Sequence, residues 1–182
     1  MISKQEQTDF LDRAADYLKK ADIAVTPAEL AGLEIADYGL SKLSECGLAI
    51  LVYVNTDRVC AKELIMLPNQ LCPEHKHPPV EGEPGKEETF RCRWGKVYLY
   101  EEGPDTDNPK CTVPAGDEQY FTVWNEIELK PGEQYTLKPN TLHWFKSGPG
   151  GAVVSEFSTK SRDHLDIFTD PHIKRETVIS DD

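Results

Sequence analysis

Apolar positions follow a helical period at the start of the chain and a strand period over most of the remainder. Phe10, Leu11, Ala14, Ala15 and Leu18 form a stripe along one helix face, which Thr8 or Asp9 is placed to cap. Thr26-Pro27 marks a second, shorter helix, with a hydroxyl cap ahead of a proline in the first turn. From Gly47 onward, short apolar runs are separated by turn residues. The pattern predicts strands over 48–54 and 60–67, joined by the polar Asn55-Thr56-Asp57 turn, then over 89–94 and 96–101 with Gly95 between them. Residues 103–116, rich in Pro, Asp and Gly, read as a surface loop. Further strands are expected near 120–123, 127–129, 134–137, 143–147 and 152–158, with turns at Pro131-Gly132 and at Gly148-Pro149-Gly150-Gly151. Many short strands at this spacing point to an all-β sandwich or barrel of jelly-roll type behind an N-terminal helical extension.

The length of 182 residues suits one domain, divided as a helical extension (1–45), a β-barrel core (46–160) and a C-terminal tail (161–182). No apolar run approaches the length of a membrane span, and the first residues lack the apolar core of a secretory signal. The five cysteines, Cys46, Cys60, Cys72, Cys92 and Cys111, are odd in number and contain no CxxC, so reduced thiols in a cytoplasmic protein are expected. A net charge of −12 argues against nucleic acid or an anionic membrane as partner and leaves a small neutral ligand open.

Chemistry concentrates in Glu74-His75-Lys76-His77 and in Glu87-Glu88. In an extended strand His75 and His77 project from one face. Glu88 begins an alternating strand whose face also carries Phe90, Cys92 and Trp94; an inward carboxylate on so apolar a face requires a partner, and a cation supplies one. His143, ahead of Trp144-Phe145, lies at the start of another strand. Three imidazoles and a carboxylate suit Mn, Fe, Co, Ni or Zn better than Mg or Ca, and leave two positions of an octahedral ion for water or a bidentate ligand. Glu74 and Glu87 alternate away from the ligand face and are expected to be solvated or to support the ligands. His164 and His172, in the polar tail, are expected to be solvated.

His75-Lys76-His77, Glu88 and Gly95 resemble the first motif of the cupins, with a longer spacer before the glutamate than is usual. Gly132 and His143 resemble the second, although Lys138 and Asn140 stand where a proline and a glycine are expected. More closely, Gly85-Lys86-Glu87-Glu88-Thr89-Phe90, Phe157-Ser158-Thr159 and Asp166-Ile167-Phe168-Thr169-Asp170-Pro171 resemble the D-lyxose isomerase family over roughly residues 45–175. The resemblance implies a cupin jelly-roll β-barrel, a manganese-like divalent ion, a homodimer, and interconversion of D-lyxose with D-xylulose, D-mannose and D-fructose being secondary. For such a reaction Glu156, after an apolar pair in a strand, is the expected carboxylate base, and the resemblance places Lys86 at the sugar. Arg162 and Asp166 are candidates to close over the pocket from the tail. Three other functions compete: a cupin phosphosugar isomerase, which needs a basic cluster such as Lys86, Arg91 and Arg93; an iron-dependent cupin dioxygenase; and a sugar-binding module without catalysis.

Overall fold

The computed structural model describes residues 1–180. In chain order its elements are β1 (Ile2–Ser3), α1 (Lys4–Lys20), α2 (Pro27–Ala31), β2 (Glu34–Ala36), β3 (Leu48–Asn55), β4 (Cys60–Met66) and β5 (Leu71–Lys76). There follow β6 (Glu88–Glu101), β7 (Asn125–Leu129), β8 (Gln134–Leu137), β9 (His143–Ser158), β10 (Ile167–Phe168) and β11 (Ile179–Ser180).

Helix α1 starts earlier than its apolar stripe suggests. Its cap is Ser3 rather than Thr8 or Asp9: the Ser3 hydroxyl accepts from the Glu6 amide, and the Glu6 carboxylate accepts from the Ser3 amide at 2.8 Å. The first turn is polar throughout, so hydrophobic period gave no sign of it. Thr8 lies inside the helix and donates its hydroxyl back to the Lys4 carbonyl. The second helix begins at Thr26-Pro27 as expected, with Thr26 and Glu29 capping one another.

Nine strands form one antiparallel sheet organised by two long members, β6 and β9, which pair along their whole length from Glu88↔Ser158 to Glu101↔His143. Beyond them the sheet divides. The second half of β9 pairs with β4, which continues to β3 and β2, while the first half pairs with β5, which continues to β10. On the other side β6 gives its first half to β8 and its second half to β7. Two half-sheets thus share two strands and curl around a common core of Leu48, Ile50, Leu64, Phe90, Cys92, Leu99, Phe145 and Val154, among others. This is the all-β barrel with an N-terminal helical segment that the strand spacing indicated.

The bend needs no chain reversal. Gly95 and the segment 148–151, expected to separate strands, instead lie within continuous strands at shifts of register between Gly95 and Val97. Gly95 adopts φ +74°, and a Cβ there would sit 2.1 Å from the Gly151 carbonyl oxygen, so the close approach of the two bulged backbones requires glycine. A further shift between Cys92 and Trp94 turns Trp94 outward, against expectation, where it meets Tyr17 of α1 edge-on at 5.1 Å. Helix α1 covers that outer face through Phe10, Ala14, Tyr17 and Leu18 packed on Leu51, Ile65 and Val153.

Residues 120–123 are not a strand. A 3₁₀ turn at Glu118–Tyr120 leads into irregular chain, whose Phe121 and Val123 pack with Tyr100 and Trp144 on the outside of the barrel. Tyr100 and Trp144 stack there at 3.9 Å, which removes Trp144 from the barrel interior. Among the described residues no helix is long and apolar enough to cross a membrane.

Candidate active site

The imidazoles and the carboxylate singled out in the sequence converge inside the barrel. His75 at the end of β5 and His77 just beyond it point the same way, and His143, the first residue of β9, is the register partner of His75. One nitrogen from each of the three rings lies within 4.8 Å of the others. Glu88, the first residue of β6, brings Oε1 to 3.1 Å from His77 Nε2 and 3.0 Å from His143 Nε2. All four side chains are buried.

Each ring is oriented by an acceptor at Nδ1. His75 donates to the Pro73 carbonyl at 2.8 Å, His143 to the Thr141 carbonyl at 2.9 Å, and His77 to Asp166 Oδ1 at 2.5 Å. These partners take the proton on Nδ1, and in His77 and His143 they leave Nε2 turned toward Glu88. His143 Nε2 is buried without a hydrogen-bond partner although the Glu88 oxygen is beside it, the arrangement of one acceptor facing another. A divalent cation satisfies such a set. The cavity is strongly charged: Lys62, Lys86 and Arg175 line it together with Glu88, Glu156, Asp163 and Asp166.

The local electrostatics follow from burial and these neighbours. Burial, with His143 and His77 beside it, holds His75 well below the ordinary imidazole range. Burial works the same way on His77, but Glu88 and Asp166 outweigh it and raise that pKa to about 9. For Glu88 burial opposes ionisation, and Lys86 and His77 overcome it, so the carboxyl is held well below its usual range. Burial also raises Asp166, with the hydrogen bond from His77 working against it.

Glu156 faces the same cavity from the far end of β9. Lys86 Nζ lies 3.0 Å from Glu156 Oε1 and 2.8 Å from Glu88 Oε2. Its position depends on Gly85, where a Cβ would fall 1.9 Å from the His77 carbonyl oxygen. Burial disfavours the Lys86 charge, but Glu156, Glu88 and Asp163 hold its pKa well above the ordinary lysine value. Asp166 reaches the cavity; Arg162 stays outside it, bound to Glu83 at 2.6 Å on the rim.

Several side chains depart from the sequence reading. Of the two readings for Glu74, solvated or supporting the ligands, burial excludes the first: it accepts from the Thr122 amide and hydroxyl, the Val123 amide and the Thr169 hydroxyl. It joins the irregular 121–123 segment to the tail. Glu87, His164 and His172 are exposed as expected. Arg91 binds Gln134 and Arg93 binds Ser155, so neither joins Lys86 in the cavity and the Lys86–Arg91–Arg93 cluster does not form. Asn140 stands where the second cupin motif has glycine and takes φ +61°, a left-handed conformation that asparagine tolerates, so the turn before His143 is kept. Lys62, Asp163, Arg175, Tyr38 and Phe168 also line the cavity and were not anticipated. Lys62 had a signal: with Glu63 it is one of two adjacent charges in a strand whose other residues are apolar.

Comparison with known proteins gives the family. The D-lyxose isomerase family profile matches residues 12–182. The chain is 61% identical over 181 residues to a protein of Thermosediminibacter oceani named D-lyxose/D-mannose isomerase, covering all of both chains. It is 58% identical to a D-lyxose ketol-isomerase of Cohnella laeviribosi, with 94% of each chain covered. Among solved structures, the L-ribose isomerase of Geodermatophilus obscurus superposes with a TM-score of 0.81 over 98% of each chain at 16% identity. That of Cellulomonas parahominis gives 0.79 over 98% of each chain at 19%. At such identities the structures speak for the fold alone, whereas the sequence matches span the cavity-lining strands and the tail: the chain belongs to the D-lyxose isomerase family.

Proposed function

We propose that the chain is a divalent-metal-dependent aldose–ketose isomerase that interconverts D-lyxose and D-xylulose, with D-mannose and D-fructose as a secondary pair. The observation that carries this reading is that Glu156, His75, His77 and Glu88 line one cavity with His143 completing the imidazole cluster beside it, in a chain similar along its length to proteins named for these sugars. His75, His77, Glu88 and His143 would hold the ion. Manganese is favoured, and Co²⁺, Fe²⁺, Ni²⁺ and Zn²⁺ suit the same donors. When bound, such an ion supplies a Lewis-acidic charge against which negative charge develops on the O1–O2 edge of the open-chain sugar.

Glu156 moves the proton. It removes the proton from C2 and returns it to C1 on the same face, through a cis-enediolate, while the hydroxyl proton of O2 passes to O1 as the carbonyl moves from C1 to C2. The hydrogen bonds to its carboxylate, from Lys86 and Ser158, both fall on Oε1, which leaves Oε2 uncommitted for this transfer. Lys86, buried and charged, offers its N–H groups to a sugar oxygen and balances the carboxylates around it. The apolar wall of Leu48, Ile50, Leu64, Phe90 and Phe145 keeps bulk water from the transferring proton. Five buried, unpaired cysteines suit a reducing cytoplasm, and a homodimer is the assembly we assign.

The test is metal analysis of the purified protein, followed by an aldose panel after stripping and reloading with manganese or cobalt. Ketose should form fastest from D-lyxose. Glu156→Gln should keep its metal and lose turnover by about 10²–10⁴-fold. No ketose from any pentose or hexose, or oxygen consumption in its place, would overturn the assignment.

A further inference from the structure

Lys62 is a buried charge that the reaction as described does not use. It sits in the middle of β4, directly across from Glu156 in the register with β9, and is 4% exposed. Its ammonium lies 2.8 Å from Asp163 Oδ2, 3.2 Å from Ser161 Oγ and 3.6 Å from Glu156 Oε1. Lys86 approaches the same Glu156 oxygen from the loop before β6, and Asp163 through its other oxygen, Oδ1, at 3.6 Å. Lys62, Glu156, Lys86 and Asp163 therefore form a closed ring of alternating charge. Within it the two ammonium groups differ: Lys86 is shared with Glu88, whereas the ion pairs of Lys62 go to Glu156 and Asp163 alone.

We infer that Lys62 is a positioning residue for Glu156, holding Oε1 against the barrel wall so that Oε2 stays turned to the substrate. The inference rests on the reading of Glu156 as the proton-transferring base. Without the Lys62 ammonium, Lys86 faces Glu88, Glu156 and Asp163 by itself, and Glu156 and Asp163 lose the charge that separates them. The carboxylate then turns from its place while the imidazole cluster, which Lys62 does not touch, is unaffected. The segment carrying Ser161 and Asp163 loses an anchor at the same time, so thermal stability is no guide to this role.

The test compares Lys62→Met with wild type on the metal-loaded enzyme and D-lyxose. The expected result is a kcat lower by about 10–100-fold, with metal content and KM within about twofold of wild type. The primary isotope effect on kcat with C2-deuterated aldose should rise, because proton transfer has become slower. In a Glu156→Gln background the same change should cost less than about twofold, and Lys62→Arg should recover most of the loss. A raised KM at unchanged kcat would overturn the inference, as would an equal loss in the Glu156→Gln background. If Lys62→Met does not fold, Lys62→Gln carries the same measurements. Should the wild type convert no aldose, the isomerase reading falls separately. A crystal structure of the Lys62 variant then decides: Glu156 unmoved overturns the inference, and Glu156 rotated away supports it.

Discussion

His77 Nδ1 and Asp166 Oδ1 lie 2.5 Å apart, so a residue of the C-terminal segment sets the angle of a ring in the imidazole cluster. Removing that acceptor frees the ring to rotate and to change tautomer. Asp166→Ala is expected to weaken binding of manganese or cobalt by about 10–100-fold with little effect on folding, as measured by calorimetric titration of the metal-free protein.

Gly85→Ala tests how tightly the loop before β6 is held. A methyl group there meets the His77 carbonyl oxygen at 1.9 Å and the Asn140 amide nitrogen at 2.9 Å, both backbone atoms that cannot move aside cheaply. The loop must shift and carry Lys86 with it. A stability loss of more than about 2 kcal/mol in urea denaturation is expected, together with a loss of turnover exceeding what the remaining folded fraction explains.

Glu74 lies on the opposite side of β5 from the imidazoles and works by hydrogen bonding alone. Glu74→Leu leaves two backbone amides and two threonine hydroxyls without their acceptor, at a cost of about 2–4 kcal/mol. Glu74→Gln, which keeps an acceptor oxygen, should lose less. Thermal denaturation of the two variants side by side gives the ordering.

The thiols give a prediction about pH. Burial is the main cause that raises Cys46 to about 12 and Cys92 to about 11, from the 9.0 of an exposed thiol. A thiol whose folded pKa is raised favours the folded state fully below pH 9.0 and loses that contribution as the pH climbs from there toward the folded values. Stability should therefore fall from about pH 9 upward. At pH 8 the native protein should leave a thiol reagent almost unreacted, whereas in denaturant all five cysteines react, as absorbance of the released chromophore reports.

Much of the site could be read from the sequence because strand periodicity is local. Two histidines at a spacing of two, and a glutamate opening an alternating run, share a face wherever the chain is extended, whatever the rest of the fold does. Lys62, Asp163 and Arg175 escaped because their place depends on tertiary packing: Lys62 on the register of β4 with β9, the other two on where the tail crosses the barrel mouth. The burial of Glu74 escaped for a related reason. Alternation correctly put it on the other face from His75, but that face is covered by the 121–123 segment, which no periodicity announces. The glycines at 95, 148, 150 and 151 mark real irregularities in the backbone, and only the neighbouring strand distinguishes a turn from a bulge.

His143 and Glu156 stand on one strand, thirteen positions apart, and an odd interval in a regular strand would send them to opposite sides of the sheet. The bulge at 148–151 puts the strand back in phase. Phe145 before it and Val154 after it both enter the interior, while Trp144 and Val153 both leave it. Glycines that carry no chemistry thus act as a half-step in the reading frame of the barrel wall. Deleting one of them would take little from the protein by mass, yet it would turn either the imidazole or the carboxylate out toward solvent.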